Sequence, residues 1–170
     1  MSAEGGGTAF IALRAAVYAV VFFLFWGWLA WWAHLNDGPL GVRLPDWMAG
    51  PGIAVMAVGA VLAFASLATF VVRGRGTPAP FDPPRRFVAS GPYRWVRNPM
   101  YIGGFLLLAG YAMCAGSVGA LLVAFAMLGA AHLFSVLYEE PSLRRRFDNS
   151  YEAYVRSTPR WLPRPPSRGA

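Results

Sequence analysis

Between Met100 and Tyr138 the chain runs for 39 residues without one Asp, Glu, Lys or Arg. At about 1.5 Å rise per residue, a single helix of that length would be nearly twice the thickness of a hydrocarbon core, so one span cannot account for it. Gly116, Ser117 and Gly119 interrupt the run near its middle. They predict a helical hairpin whose two arms have roughly 16 to 20 residues each. Two further uncharged runs precede it, Ala15 to Ala33 and Gly52 to Val72, the second closed by Arg73 and Arg75. The first ends in Trp26, Trp28, Trp31 and Trp32; its length and this boundary cluster fit an anchored span better than a cleavable signal. In the second, Gly59 and Ala63 form a small-residue pair that lets another helix approach closely.

Composition agrees with this reading. Hydrophobic residues make up 56% of the 170 and charged ones only 14%, outside the balance of an ordinary soluble domain. All 15 basic residues are Arg, against 8 acids. They flank the apolar runs instead of forming a solvated face, which suits anionic lipid, carboxylate or phosphate and argues against nucleic acid. One Cys and two His are too few for a disulfide framework or an all-protein zinc site, so no metal is expected. The expected fold is an all-α membrane protein with four transmembrane helices, the third and fourth a hairpin, and a C-terminal amphipathic helix at the interface. Residues 1–170 then make one membrane-embedded domain: two helices in 1–75, the hairpin and C-terminal helix in 76–163, and a tail in 164–170. Only the Gly-rich start and the Pro/Arg-rich tail read as disordered.

Loop charges predict the orientation, because short Arg-rich loops stay cytoplasmic. Residues 34–51 carry two Asp and one Arg, residues 73–99 six Arg and one Asp, and residues 139–170 seven Arg and four acids. Both termini are therefore expected in the cytoplasm.

Two segments carry chemistry. A proline-stiffened connector, Thr77 to Pro84, leads into Phe87 to Gly104, FVASGPYRWVRNPMYIGG. Asn98 suits a helix N-cap and Pro99 the first helical position, so the third span should start here. Its free N–H groups, with Arg94 and Arg97 beside them and Gly103 and Gly104 behind, make an anion or carboxylate site, or a capped helix with packing glycines and no ligand. The second segment is YEEPSLRRRFDNSYEAYVRSTPRWLP, Tyr138 to Pro163. Pro141 is expected to break the chain around Glu139 and Glu140. Beyond it Leu143, Phe147, Tyr151 and Tyr154 form one apolar stripe, which predicts an amphipathic helix. Hairpin geometry brings the two segments to similar depth, so Arg97, Asn98 and Tyr101 should face Glu139 and Glu140. A pocket with cationic and anionic walls and an aromatic ring matches a zwitterionic ligand. His132, seven residues before Glu139, shares its face and lines a path from the lipid, unless it only bridges helices.

GPYRWVRNPMYIGG followed by EEPSLRRRFDNSYEAYVRSTPRWLP resembles the isoprenylcysteine carboxyl methyltransferase and phospholipid methyltransferase family, integral membrane enzymes that use S-adenosylmethionine and release S-adenosylhomocysteine. The resemblance covers roughly residues 78–163. It departs at Asn98, where eukaryotic members usually have His, and at Asp148 and Asn149, where many have Phe-Gly. It implies a cofactor pocket formed by Arg97, Asn98, Pro99, Tyr101, Gly103, Glu139 and Glu140. Arg97 and the helix N-terminus suit the methionyl carboxylate, the two glutamates the ribose hydroxyls or the amino group, and Tyr101 the adenine or sulfonium. Catalytic roles are expected for Arg144, Glu140 and Tyr101, and acceptor contacts for His132, Tyr151, Tyr154 and Arg160. The expected acceptor is lipidic and enters from the leaflet. The carboxylate of an isoprenylated cysteine ranks first because it needs no general base, then a phospholipid amine, then a small thiol. A sterol-reductase-like enzyme using NADPH and a non-enzymatic lipid-binding scaffold are the alternatives from other classes.

Overall fold

Where water is excluded, backbone polar groups must be satisfied within the segment, and the apolar runs accordingly form helices. A computed structural model describes residues 3–74 and 88–164; the expected connector Thr77 to Pro84 and most of the tail lie outside them. Five α-helices follow in order: α1 (Ala3–Leu35), α2 (Ala49–Thr69), α3 (Pro99–Ala115), α4 (Val118–Phe134) and α5 (Glu140–Ser157). No strand occurs among the described residues. The protein is an all-α membrane protein. Three helical stretches, Leu13–Leu35, Asp46–Arg73 and Val118–Ser157, are long and apolar enough to cross a membrane, and α3 is a shorter apolar helix. At 17 residues α3 reaches about 26 Å, close to a hydrocarbon thickness.

Helix α1 departs from expectation at its start. It begins at Ala3 and runs through Gly5, Gly6 and Gly7, the stretch read as disordered from its glycines. Glycine weakens a helix by only about 1 kcal/mol per residue, and here it propagates from a long apolar segment that is already nucleated.

The packing divides into two compact units. One draws on the described residues of 1–20, 64–100 and 133–170, the other on 21–63 and 101–132. In the second unit, α2 and α3 approach so closely that glycines form the seam. A Cβ on Gly59 would stand 2.7 Å from the Leu107 nitrogen, one on Gly103 2.7 Å from the Ala63 nitrogen, and one on Gly110 2.7 Å from the Gly52 oxygen. Gly59 and Ala63 therefore do what their spacing predicts, and Gly52 and Gly110 extend the same seam.

The hairpin turn is built by residues 115–120. Gly116 adopts φ +63, the left-handed conformation that closes a helix. Ser117 N–H donates to Ala112 O at 2.9 Å and Gly116 N–H to Met113 O at 3.3 Å, the paired bonds of a Schellman cap. Ser117 Oγ then accepts from Ala120 N–H at 2.9 Å, and Asp37 Oδ1 from Gly119 N–H at 2.8 Å. These two acceptors satisfy the open N–H groups of α4.

In the first unit the expected break at Pro141 does not occur. From Leu133 the chain stays helical past Pro141 to Phe147, with one wide π turn at Ser135–Glu139 in which Glu140 N–H donates to Ser135 O. Pro141 would remove the N–H that bonds to the carbonyl four residues back and crowd that carbonyl. A π turn just before it absorbs the misfit without ending the helix. The interruption comes later. Asp148, inside α5, has φ 41 and ψ −122, so the stripe from Leu143 to Tyr154 is carried by two helical pieces that meet at a kink. Tyr151 and Tyr154 remain buried.

Candidate functional site

Three short segments of the first unit meet around Glu140, the first residue of α5. Arg97 Nη1 donates to Glu140 Oε1 at 2.8 Å; Arg160 donates through Nε to Oε1 at 2.7 Å and through Nη2 to Oε2 at 3.0 Å. The Arg160 contact is a two-point fork, the geometry a guanidinium makes best with a carboxylate. Only 12% of the Glu140 side chain, 13% of Arg97 and 27% of Arg160 is exposed. These bonds are therefore little weakened by solvent, and each charged hydrogen bond is worth about 1.5–3 kcal/mol. The bonds to Glu140 also hold the Arg160 guanidinium protonated even more firmly than usual.

Beside this cluster, Asn98 Nδ2 donates to Ser135 Oγ at 3.0 Å, and Ser135 donates to Glu139 Oε2 at 2.9 Å. The expected facing of Arg97 and Asn98 with the two glutamates is present, direct for Arg97 and Glu140, relayed by a hydroxyl for Asn98 and Glu139. Backbone bonds pin the segments: Arg97 N–H donates to Pro159 O at 2.9 Å, Arg164 N–H to Trp95 O at 3.0 Å, and Thr158 N–H to Tyr154 O at 2.9 Å. The Tyr154 hydroxyl donates to Tyr93 O at 2.7 Å. Tyr93 is buried. Its phenol is pushed well above the ordinary tyrosine range, first by loss of water and then by the negative charge of Glu139.

The remaining expected residues divide. Pro99 is fully buried at the first position of α3. Tyr151 lies within electrostatic reach of Glu140, Arg97 and Arg144. Arg144 pairs with Glu152 at 2.6 Å on the half-exposed side of α5. Tyr101, Gly103 and His132 belong to the second unit, where the Cβ side of Gly103 is filled by the α2 backbone at Ala63. Ser135, Tyr93 and the carbonyl of Pro159 were not anticipated. Ser135 had a signal, since it is a hydroxyl one turn before Glu139 in an otherwise apolar run. The two backbone partners had none.

The cluster holds two guanidinium groups for one carboxylate. In addition, Arg97 Nε is buried without a hydrogen-bond partner, a costly state for a charged donor unless something else accepts from it. Among the described residues no group of His, Cys, Asp and Glu could hold a metal ion. The chain matches no curated protein and no solved structure. Residues 47–150, well over half of its length, match the phospholipid methyltransferase family. The chain belongs to that family. As a phospholipid methyltransferase family member with apolar helices of membrane-crossing length, it is an integral membrane methyltransferase. The family match takes in Arg97, Asn98, Ser135, Glu139 and Glu140 and ends before Tyr151, Tyr154 and Arg160.

Proposed function

We propose that the chain transfers a methyl group from S-adenosylmethionine to a lipid-anchored acceptor and releases S-adenosylhomocysteine. The observation that carries this reading is the Arg97–Glu140–Arg160 cluster with its partnerless Arg97 Nε. Its residues fit the cofactor. Two guanidiniums against one carboxylate leave room for one more carboxylate, such as the methionyl one, and Arg97 Nε is a buried donor still lacking an acceptor. Ser135 and Glu139 offer oxygens to an ammonium or to ribose hydroxyls. When bound, the cofactor supplies a methyl group made electrophilic by its sulfonium.

The chain's part is alignment. Arg97 is fixed from two directions, by Glu140 and by the Pro159 carbonyl, so it can orient an anion with little reorganisation. Glu140 is better suited to setting the two arginines than to meeting the sulfonium, whose charge vanishes during transfer and would be stabilised most before it. Pro99 is proposed to border the cofactor at the first turn of α3, and Tyr151, Tyr154 and Arg144 the acceptor. Transfer breaks the methyl–sulfur bond, leaves its electron pair on sulfur as a thioether, and forms a bond from the acceptor to carbon.

A lipidated carboxylate, such as that of an isoprenylated cysteine, remains the first acceptor choice. It arrives ionised, so no general base is required. A phospholipid amine is the second reading, favoured by the family match. It must lose a proton, for which Glu139, beside the cluster, is the proposed acceptor. The loop charges support a cytoplasmic site.

Calorimetry in detergent tests the cofactor. Arg97→Ala or Glu140→Ala should weaken S-adenosylhomocysteine binding by about 1.5–3 kcal/mol. Saturable NADPH binding with no heat from either adenosyl ligand would instead indicate the reductase class. With methyl-labelled cofactor, a prenylated cysteine analogue and bacterial lipid, base-labile label on the analogue marks an ester. Label on aminophospholipid reverses the order of acceptors.

A further inference from the structure

Ser135 is 1% exposed and opens the π turn that follows α4. A serine inside an apolar helix ordinarily returns its proton to the carbonyl one turn back. Ser135 instead donates to Glu139 Oε2 at 2.9 Å and accepts from Asn98 Nδ2 at 3.0 Å. A hydroxyl has one proton and an ionised carboxylate can only accept, so the direction of this chain is forced. It runs from the Asn98 amide through the Ser135 hydroxyl to Glu139. The result is a carboxylate with one oxygen held from behind by a side chain that water does not reach.

Asn98 follows Arg97 and Glu139 precedes Glu140 in sequence. The hydrogen-bonded chain therefore runs beside the Arg97–Glu140 ion pair. Glu139 also acts inward, because its charge is the second cause, after burial, that lifts the Tyr93 phenol. An α-amino acid carries an ammonium and a carboxylate on the same carbon, so its two receivers must be neighbours. Arg97, whose buried Nε has no partner, suits the carboxylate, and Glu139 is the anion beside it.

We infer that Ser135 is a positioning residue for the cofactor: it holds Glu139 toward the α-ammonium of the methionyl arm and does not touch the ligand itself. This rests on the S-adenosylmethionine reading above and names how the ammonium is held. Glutamate has three side-chain torsions, and a carboxylate already fixed at one oxygen loses less freedom when the ligand arrives. Any oxygen offered to the ammonium is then Glu139's, with Ser135 behind it.

The test uses the full chain in detergent and two ligands, S-adenosylhomocysteine and its analogue with hydrogen in place of the α-amino group, titrated by calorimetry. The unaltered chain should bind S-adenosylhomocysteine about tenfold more tightly than the analogue, the worth of one charged hydrogen bond. Ser135→Ala should remove most of that preference by weakening S-adenosylhomocysteine and leaving the analogue unchanged. Ser135→Thr, which keeps the hydroxyl, should restore it. In turnover, Ser135→Ala should raise KM for S-adenosylmethionine more than it lowers kcat. In a Glu139→Gln background the same substitution should have no further effect, because Ser135 acts through that carboxylate. Asn98→Asp makes two carboxylates compete for one hydroxyl proton and should also weaken S-adenosylhomocysteine selectively, which gives the same readout should Ser135→Ala fail to fold. Equal loss of both ligands in Ser135→Ala and in Asn98→Asp would mark a merely structural role and overturn the inference. So would full additivity with Glu139→Gln, or binding by the unaltered chain that neither variant changes. No binding of S-adenosylhomocysteine by the unaltered chain would overturn the cofactor reading itself, and this inference with it.

Discussion

Asp148 is the described non-glycine residue with positive φ, at 41° with ψ −122°. For an L side chain that conformation is crowded, and such positions cost about 1–3 kcal/mol. The Asp148 side chain is exposed, so removing it leaves no cavity. Asp148→Gly is therefore expected to stabilise the protein by about 1 kcal/mol, seen as a higher midpoint of thermal unfolding in detergent. Asp148→Val should lower it, because a β-branched residue tolerates this region least. No change in either variant would mean that the kink is absent in solution.

At the scale of elements, glycines in the same kind of apolar helix have opposite duties. Gly59 faces the α3 backbone with no space for a methyl group, whereas Gly129 has nothing within 4 Å of where its Cβ would stand. Gly59→Ala should destabilise the α2–α3 seam by about 1–3 kcal/mol, the usual effect of overpacking. Gly129→Ala should be neutral or slightly stabilising through helix propensity. Thermal unfolding of the two variants side by side separates a packing glycine from a tolerated one. The π turn before Pro141 is the other element with consequences. Ser135, Glu139 and Glu140, in the turn and just after it, meet Asn98, Arg97 and Arg160.

For the whole molecule, the open physical quantity is orientation, since loop arginines argue for it through the insertion bias alone. Cys114 Sγ makes one weak hydrogen bond, to the Ala49 carbonyl at 3.5 Å, and lies beside Gly52, so Cys114→Ala should yield a folded cysteine-free chain. In that background, a cysteine replacing Leu40 is expected to react with an impermeant thiol reagent from outside intact cells. One replacing Asp82 is expected to react only after the membrane is permeabilised. The reverse pattern would put the Arg97–Glu140–Arg160 cluster on the outer face and remove any route to cytosolic S-adenosylmethionine.

The apolar runs, the hairpin turn and the α2–α3 seam were legible in the sequence because each depends on local rules: length against bilayer thickness, glycine at a left-handed turn, small residues four apart. The pairing of the Arg97 segment with the two glutamates was legible too, since equal arm lengths in a hairpin fix relative depth. Tertiary structure alone decided how Pro141 is accommodated, as a π turn and a break meet the same local constraint and differ only in what the following segment packs against. It also decided that Arg160 completes the cluster, because the returning chain is tied down by backbone bonds between Trp95 and Arg164 and between Arg97 and Pro159, which no side-chain pattern announces.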